Sequence, residues 1–289
     1  TRRMRAGIAD LPDGRYEFTD VLDDDGMGTT NIPICVKIDI QSDEIWFNFE
    51  GSASQVAGNM NNSFAGLQAS VLFALKVLID PDGPTNHGML DPVHIDAPEA
   101  SVVNASFPAA TAARAQTCQR IIDVILGALA PAVPERVIAA CNGANGVATF
   151  SGEGPDGQYY LYMETIGGGA GGRSYQDGSD GIQVHVTNTS NLPVEALESE
   201  YPLLVERYEL VENSGGAGTW RGGMGLRRVY RGLGHTLTFS GQGERAVTPP
   251  WGLFGGKGGG TGSISLINPD GSKELLDIKP ASLQVEPTK

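Results

Sequence analysis

Cysteine is scarce: Cys35, Cys118 and Cys141 are the three in 289 residues, far apart and without C-x-x-C spacing. Neither a disulfide framework nor a zinc site is signalled by that pattern, and a reducing compartment, the cytoplasm, fits best. Long apolar runs are missing too. The best candidate, 109–129, is broken by Arg114, Arg120 and Asp123, so nothing reads as a membrane span, and no stretch reads as a signal peptide. Positive charge is short: 20 basic against 34 acidic residues leave a net charge of -14. Such a surface repels phosphate backbones and anionic headgroups, which makes nucleic acid and membranes poor partners. There is no Ser-His-Asp order, G-x-S-x-G elbow or H-E-x-x-H either, so the chain advertises no self-sufficient catalytic apparatus.

What is present is glycine. Its 40 residues are about twice the usual share of roughly 7 %, and they cluster between apolar runs without a collagen-like period. Hydrophobic content of 40 % suffices for a real core. Periodicity predicts an α+β fold. Mixed or antiparallel sheets accompany two main buried helices in the N-terminal half (1–135), and a strand-rich, glycine-loop-rich segment follows (136–289), the whole one continuous domain of a larger protein.

Met4, Ile8 and Leu11 share one helical face. Arg2, Arg3 and Arg5 would sit at the positive end of that helix's dipole, so the helix is expected to begin upstream, the chain being a piece of something longer. A Thr1 nucleophile activated by its own α-amine is the weaker reading. The run Asp23-Asp-Asp25 reads as a solvated strand end, since adjacent carboxylates cannot all face one ion. Strands are expected at 34–40 and 44–49 around a turn at 41–43, then a helix capped by Asn62 or Ser63. A second helix is expected over about 109–129. Later strands are placed at 137–140, 147–150, 159–163, 182–187, 203–210, 226–230 and 236–240, a short helix near 193–200, and a closing hairpin around Asn268-Pro-Asp-Gly271. Core positions are expected at Phe64, Leu75, Ile122, Ile125, Tyr159 and Leu161.

Polar chemistry concentrates in Glu164-Thr-Ile-Gly-Gly-Gly-Ala-Gly-Gly-Arg173 and its continuation through Asp177 and His185-Val-Thr-Asn-Thr-Ser-Asn191. The spacing of Gly167, Gly169 and Gly172 fits G-x-G-x-x-G, but the turn chemistry after Arg173 opens no helix to receive a pyrophosphate. A loop that touches substrate or another chain is preferred, with a plain crossing loop as the alternative. His185 and Glu164 are the candidate acid/base pair, and Arg173, Asp177, Thr187, Asn188 and Asn191 the candidate substrate-binding residues. His87 and His94 lack partners at metal-ligand spacing, and no metal ligand is assigned. The loop 254–261 mimics a phosphate loop without its Gly-Lys-Ser/Thr ending.

The run from Glu164 to Tyr208 is followed by Glu212-Asn-Ser-Gly-Gly-Ala-Gly-Thr-Trp-Arg-Gly-Gly-Met-Gly225 and Pro249-Pro-Trp-Gly-Leu-Phe-Gly-Gly256. Together these stretches resemble the hydantoinase B/oxoprolinase family, across the C-terminal half of a full-length member. The resemblance implies an ATP-dependent enzyme working with a hydantoinase A-type subunit. It implies further that phosphorylation of a carbonyl or enolate oxygen precedes hydrolysis of a cyclic amide or, alternatively, carboxylation of a ketone. It also implies a divalent metal, whose His- and Asp-rich motif lies in the N-terminal half of the family. ATP and that metal are therefore expected on partner chains: the A-type subunit and the N-terminal half of a hydantoinase B-type subunit. A non-catalytic scaffold is the third expectation.

Overall fold

The computed structural model describes residues 1–287. Helix α1 (Arg2–Ala9) buries Met4 and Ile8, as their spacing predicts. The chain then runs through β1 (Gly14–Asp24) and β2 (Thr30–Gln41), paired antiparallel with Gly14 opposite Ile40, and turns at Ser42 into β3 (Glu44–Asn48). The strict alternation Ile32, Ile34, Val36, Ile38, Ile40 puts five β-branched side chains on the inner face of β2, each no more than 1 % exposed. Each contributes about 1.5–3 kcal/mol on burial, and a one-residue slip would turn all five to solvent.

Helix α2 (Phe64–Ile79) starts where the Ser63 hydroxyl accepts the Gly66 N–H at 3.3 Å. After it, β4 (Val93–Asp96) joins β3 in parallel, completing a sheet of order β1-β2-β3-β4. Helix α3 (Arg114–Leu129) lies against β1, β2 and α2, and Leu75, Ile122 and Ile125 are fully buried there, as expected. The helix begins later than periodicity suggests. Ala113 donates its N–H to Asn59, and Asn61 donates to the Ala110 carbonyl at 2.9 Å, so peptides 110–113 bond to a neighbouring loop instead of extending the helix.

A second core forms around β5 (Gly146–Glu153) and β6 (Tyr159–Ile166). It is closed by α4 (Val194–Glu200), β7 (Leu203–Leu210), β8 (Leu226–Gly232) and β9 (Leu237–Gln242). The hairpin β10 (Ile264–Ile267)/β11 (Lys273–Leu276) and β12 (Leu283–Val285) follow. The order β12-β9-β5-β6 is antiparallel throughout, and β7 pairs with β8.

Four expectations fail here. Phe64 sits exposed on the first turn of α2. Tyr159 and Leu161 point to solvent because the alternate residues of β6, Tyr160, Tyr162 and Glu164, face inward. Segments 137–140 and 182–187 are not strands. Ala139 and Asn142 donate to Gly172 and Gly169 while Ala140 donates to Trp251, so no continuous ladder can form; 182–187 makes one bridge at Ile182 and then turns, with His185 at φ 48°.

The fourth concerns the acidic run, which is a buried junction between the two cores. Asp23 accepts the backbone N–H groups of Ala246, Val247 and Thr248 at 2.6–3.0 Å, and Asp25 accepts those of Met27, Thr29 and Gly58. Burial works against both charges, but these bonds win and hold both carboxyls below the usual range. Asp20 meets Arg120 and Arg245, Arg120 meets Glu244, and Lys279 closes on Glu244 at 2.7 Å. The Arg120 side chain is fully buried in these ion pairs.

Candidate functional site

The glycine-rich segments form a layer in which backbones pack directly on one another. A Cβ on Gly171 would fall 1.9 Å from the Ala139 carbonyl oxygen, and one on Gly169 would fall 2.0 Å from that of Gly223. Only hydrogen fits between such peptides. Gly178, Gly223, Asn142 and Ala139 stitch the layer with backbone hydrogen bonds of 2.7–3.0 Å. Beside it opens a cleft of about 1100 Å³ whose walls come from 166–174, 214–232 and 250–269. Loop 254–261 lies on that wall and runs on towards strand β10, not into a helix whose N-terminus might hold a phosphate.

Glu164 lies at the inner end of β6, opposite Ala148. Its carboxylate accepts from Tyr162 at 2.6 Å and from Asn191 at 3.1 Å, and also takes the Arg228 guanidinium and the Tyr230 hydroxyl. Arg228 stacks 4.3 Å over the Tyr208 ring. Burial, reinforced by Glu164, pushes the Tyr162 and Tyr230 phenols well above their ordinary range, so both are hydrogen-bond donors at all relevant pH. Four partners saturate this carboxylate, and Arg228 and Tyr230 stand between it and the cleft wall they line.

His185 lies in a different network. Its Nε2 is 3.0 Å from Asp123 Oδ1 on α3, and the other Asp123 oxygen is 2.8 Å from Arg245 Nη2. The Cys141 sulfur completes a cluster in which one donor atom from each of Asp123, Cys141 and His185 lies within 4.8 Å of the others. Burial disfavours the imidazolium, but Cys141 and Asp123 outweigh it and push His185 up to about 10. The same burial opposes charge on Asp123, yet His185 and Arg245 hold its carboxyl below the usual range.

The remaining predicted residues are dispersed. Arg173 lines the cleft. Asp177 accepts the Arg221 backbone N–H at 2.9 Å and shapes the glycine layer, while Asn188 is exposed. Thr187 accepts from Gln119 at 2.9 Å, close in the chain to His185, and Asn191 joins the Glu164 network. The structure therefore groups Glu164 with Asn191 and His185 with Thr187, and sets Arg173 apart on the cleft. Sequence reading missed Asp123 and Cys141. The signal within reach was Asp123 set among Ile121, Ile122, Val124 and Ile125 of a helix expected to be buried, where a carboxylate needs a partner.

The sequence model of the family described as Hydantoinase B/oxoprolinase matches residues 1–289. A Pseudomonas sp. protein provisionally named as one component of a D-/L-hydantoinase is 34 % identical over 288 residues, covering 96 % of this chain and 48 % of its own length. The crystal structure of ATP-dependent caprolactamase from Pseudomonas jessenii superposes with a TM-score of 0.88 at 27 % identity, over 99 % of this chain and 51 % of that one. A nucleotide-free acetone carboxylase structure shares the fold, with a TM-score of 0.79 at 16 % identity over 91 % and 38 % of the two chains. The chain thus spans about half the length, or less, of these proteins. Among the described residues no helix is long and apolar enough to cross a membrane.

Proposed function

The chain belongs to the hydantoinase B/oxoprolinase family, and from that premise we propose that it is one part of an ATP-dependent enzyme that opens cyclic amides. The observation that carries this reading is the superposition of nearly the whole chain on ATP-dependent caprolactamase. An amide carbonyl is a poor electrophile because its nitrogen donates into it; phosphorylating the oxygen withdraws that donation and provides a leaving group, so water can add at carbon and the ring C–N bond breaks.

In this reading the cleft holds the uncharged ring. The glycine-rich segments that line it bring peptide groups to the N–H and C=O of a lactam or hydantoin, and Arg173 supplies a positive charge for the phosphorylated oxygen. ATP and the metal that would prepare the attacking water come from companion chains: a hydantoinase A-type subunit and the N-terminal half of a hydantoinase B-type subunit. Glu164 and His185 then act from behind the cleft wall as positioning residues. Asp177, Asn191 and Thr187 fix the loops, and Asn188 is left free to meet a partner.

Reconstitution with those companions tests the assignment. ATP-dependent ring opening of a hydantoin, 5-oxoproline or a lactam, with one ADP per ring opened and no need for bicarbonate, is the expected result. Bicarbonate-dependent consumption of a ketone would replace it with the carboxylase reading, for which the fold shared with acetone carboxylase is the support. Turnover lost on omitting this chain but undiminished by replacing His185 or Glu164 would reduce it to a scaffold.

A further inference from the structure

We propose that Asp123, Cys141 and His185 form a binding site for a divalent cation of the zinc type, which ties α3 to the two irregular segments around Cys141 and His185. The donors come from three separate stretches of chain, yet their side chains converge deep in the protein. The Cys141 residue and the Asp123 side chain are 1 % exposed and the His185 side chain 4 %. One carboxylate oxygen, one ring nitrogen and the sulfur lie within 4.8 Å of one another. The 3.0 Å between His185 Nε2 and Asp123 Oδ1 suits two donors sharing one cation, whose bonds to nitrogen and oxygen are about 2.0–2.2 Å. A thiolate, an imidazole and a carboxylate together select zinc, cobalt or iron over magnesium or calcium, which prefer oxygen throughout.

The surroundings are built as those of a metal site are built. Arg245 fixes the second oxygen of Asp123 at 2.8 Å, and the Gly171 N–H points at the Cys141 sulfur at 3.4 Å. Two buried amide oxygens from residues near these donors in the chain, Gln119 Oε1 and Asn142 Oδ1, have no hydrogen-bond partner among the described residues. Gln119 lies one turn before Asp123 on α3, and its amide nitrogen donates at 3.0 Å to the carbonyl of Val184, next to His185; Asn142 follows Cys141 in the chain. An unpaired buried acceptor costs about 1–3 kcal/mol. A water completing a four-coordinate cation would bring two O–H donors for these two acceptors. The argument for a cation here does not rest on the reaction proposed above, although His185 is shared with it, and the segments the site would join, 137–142 and 182–187, are those that no sheet ladder holds among the described residues.

Metal-stripped 289-residue protein titrated with Co²⁺ decides the matter. The expected result is a near-ultraviolet thiolate-to-cobalt charge-transfer band saturating at one cobalt per chain. It should be lost in Cys141→Ser and kept in the Cys35→Ser/Cys118→Ser double variant. Asp123→Asn and His185→Gln should weaken binding more than about 100-fold, beyond the loss typical of removing a ligand's hydrogen-bond partner. The double variant keeps only Cys141, so it answers even where Cys141→Ser fails to fold. Absence of the band in that variant with excess cobalt, or a band unchanged by Cys141→Ser, would overturn the proposal and leave the cluster a metal-free ion network.

Discussion

Arg245 Nη2 lies 2.8 Å from Asp20 Oδ2, across 225 positions of sequence, with both side chains no more than 5 % exposed. The same nitrogen reaches Asp123, so one guanidinium neutralises two buried carboxylates contributed by β1 and α3. Removing it takes one cationic partner from each, leaving Asp20 to Arg120 and Asp123 to His185, and breaking one partner of a buried pair costs about 3–5 kcal/mol. Arg245→Met is expected to lose about that much in urea unfolding, and Arg245→Met/Asp20→Asn less than the sum of its parts. A loss under about 1 kcal/mol would show that the junction is held by apolar packing instead.

The junction also makes stability pH-dependent through Asp23. Its folded pKa is depressed because backbone N–H groups stabilise the carboxylate more than burial penalises it. A depressed acid binds fewer protons folded than unfolded. Its contribution is therefore present above the unfolded value of about 3.9 and is lost as pH falls through the folded one. Asp23→Asn should be less stable than wild type at about pH 6, with the gap closing below about pH 4. Urea midpoints measured from about pH 3 to 7 check this; a gap constant across that range would mean that the carboxylate's charge plays no part.

The glycine layer predicts a contrast within one loop system. Gly171→Ala drives a methyl into the Ala139 carbonyl, whereas the nearest atom to a Cβ on Gly225 is the Ser214 hydroxyl at an ordinary 3.7 Å. Gly171→Ala should cost about 1–3 kcal/mol or more and Gly225→Ala well under about 1 kcal/mol. Comparing their thermal midpoints tests whether close packing, rather than loop flexibility, explains the glycines.

Local pattern made much of this fold legible. Alternation in 34–40 places β2, a cap at Asn62 or Ser63 marks the start of α2, and Asn268-Pro-Asp-Gly271 marks the last hairpin, because each signal acts over a few residues. The failures are all non-local. Tyr159 and Leu161 were assigned to the core one register off, since Tyr, Leu and Met alternate on β6 with other large residues and only the sheet decides which face is buried. Asp23 read as solvated because its three backbone donors lie more than 220 positions away. His185 was singled out from its loop, but its partner Asp123 sits on a helix that reads as core, and nothing within either segment encodes their meeting.

Whether Glu164 takes part in chemistry or in architecture can be separated by its response to neutralisation. Arg228 pairs with Glu164 through Nη1, while its Nε and Nη2 are buried without a hydrogen-bond partner among the described residues, so within them the guanidinium has this one carboxylate as its counter-charge. Glu164→Gln removes that charge while keeping an acceptor for Tyr162 and Tyr230. It should therefore cost about 3–5 kcal/mol in urea unfolding, and Glu164→Gln/Arg228→Met should recover much of the loss, because an apolar pair of similar volume leaves no buried charge behind. In the reconstituted assembly the double variant would then retain turnover if Glu164 acts by holding β6 to β8. A double variant that is as stable as wild type but inactive, with KM unchanged and kcat lost, would instead put Glu164 in direct contact with the reacting atoms.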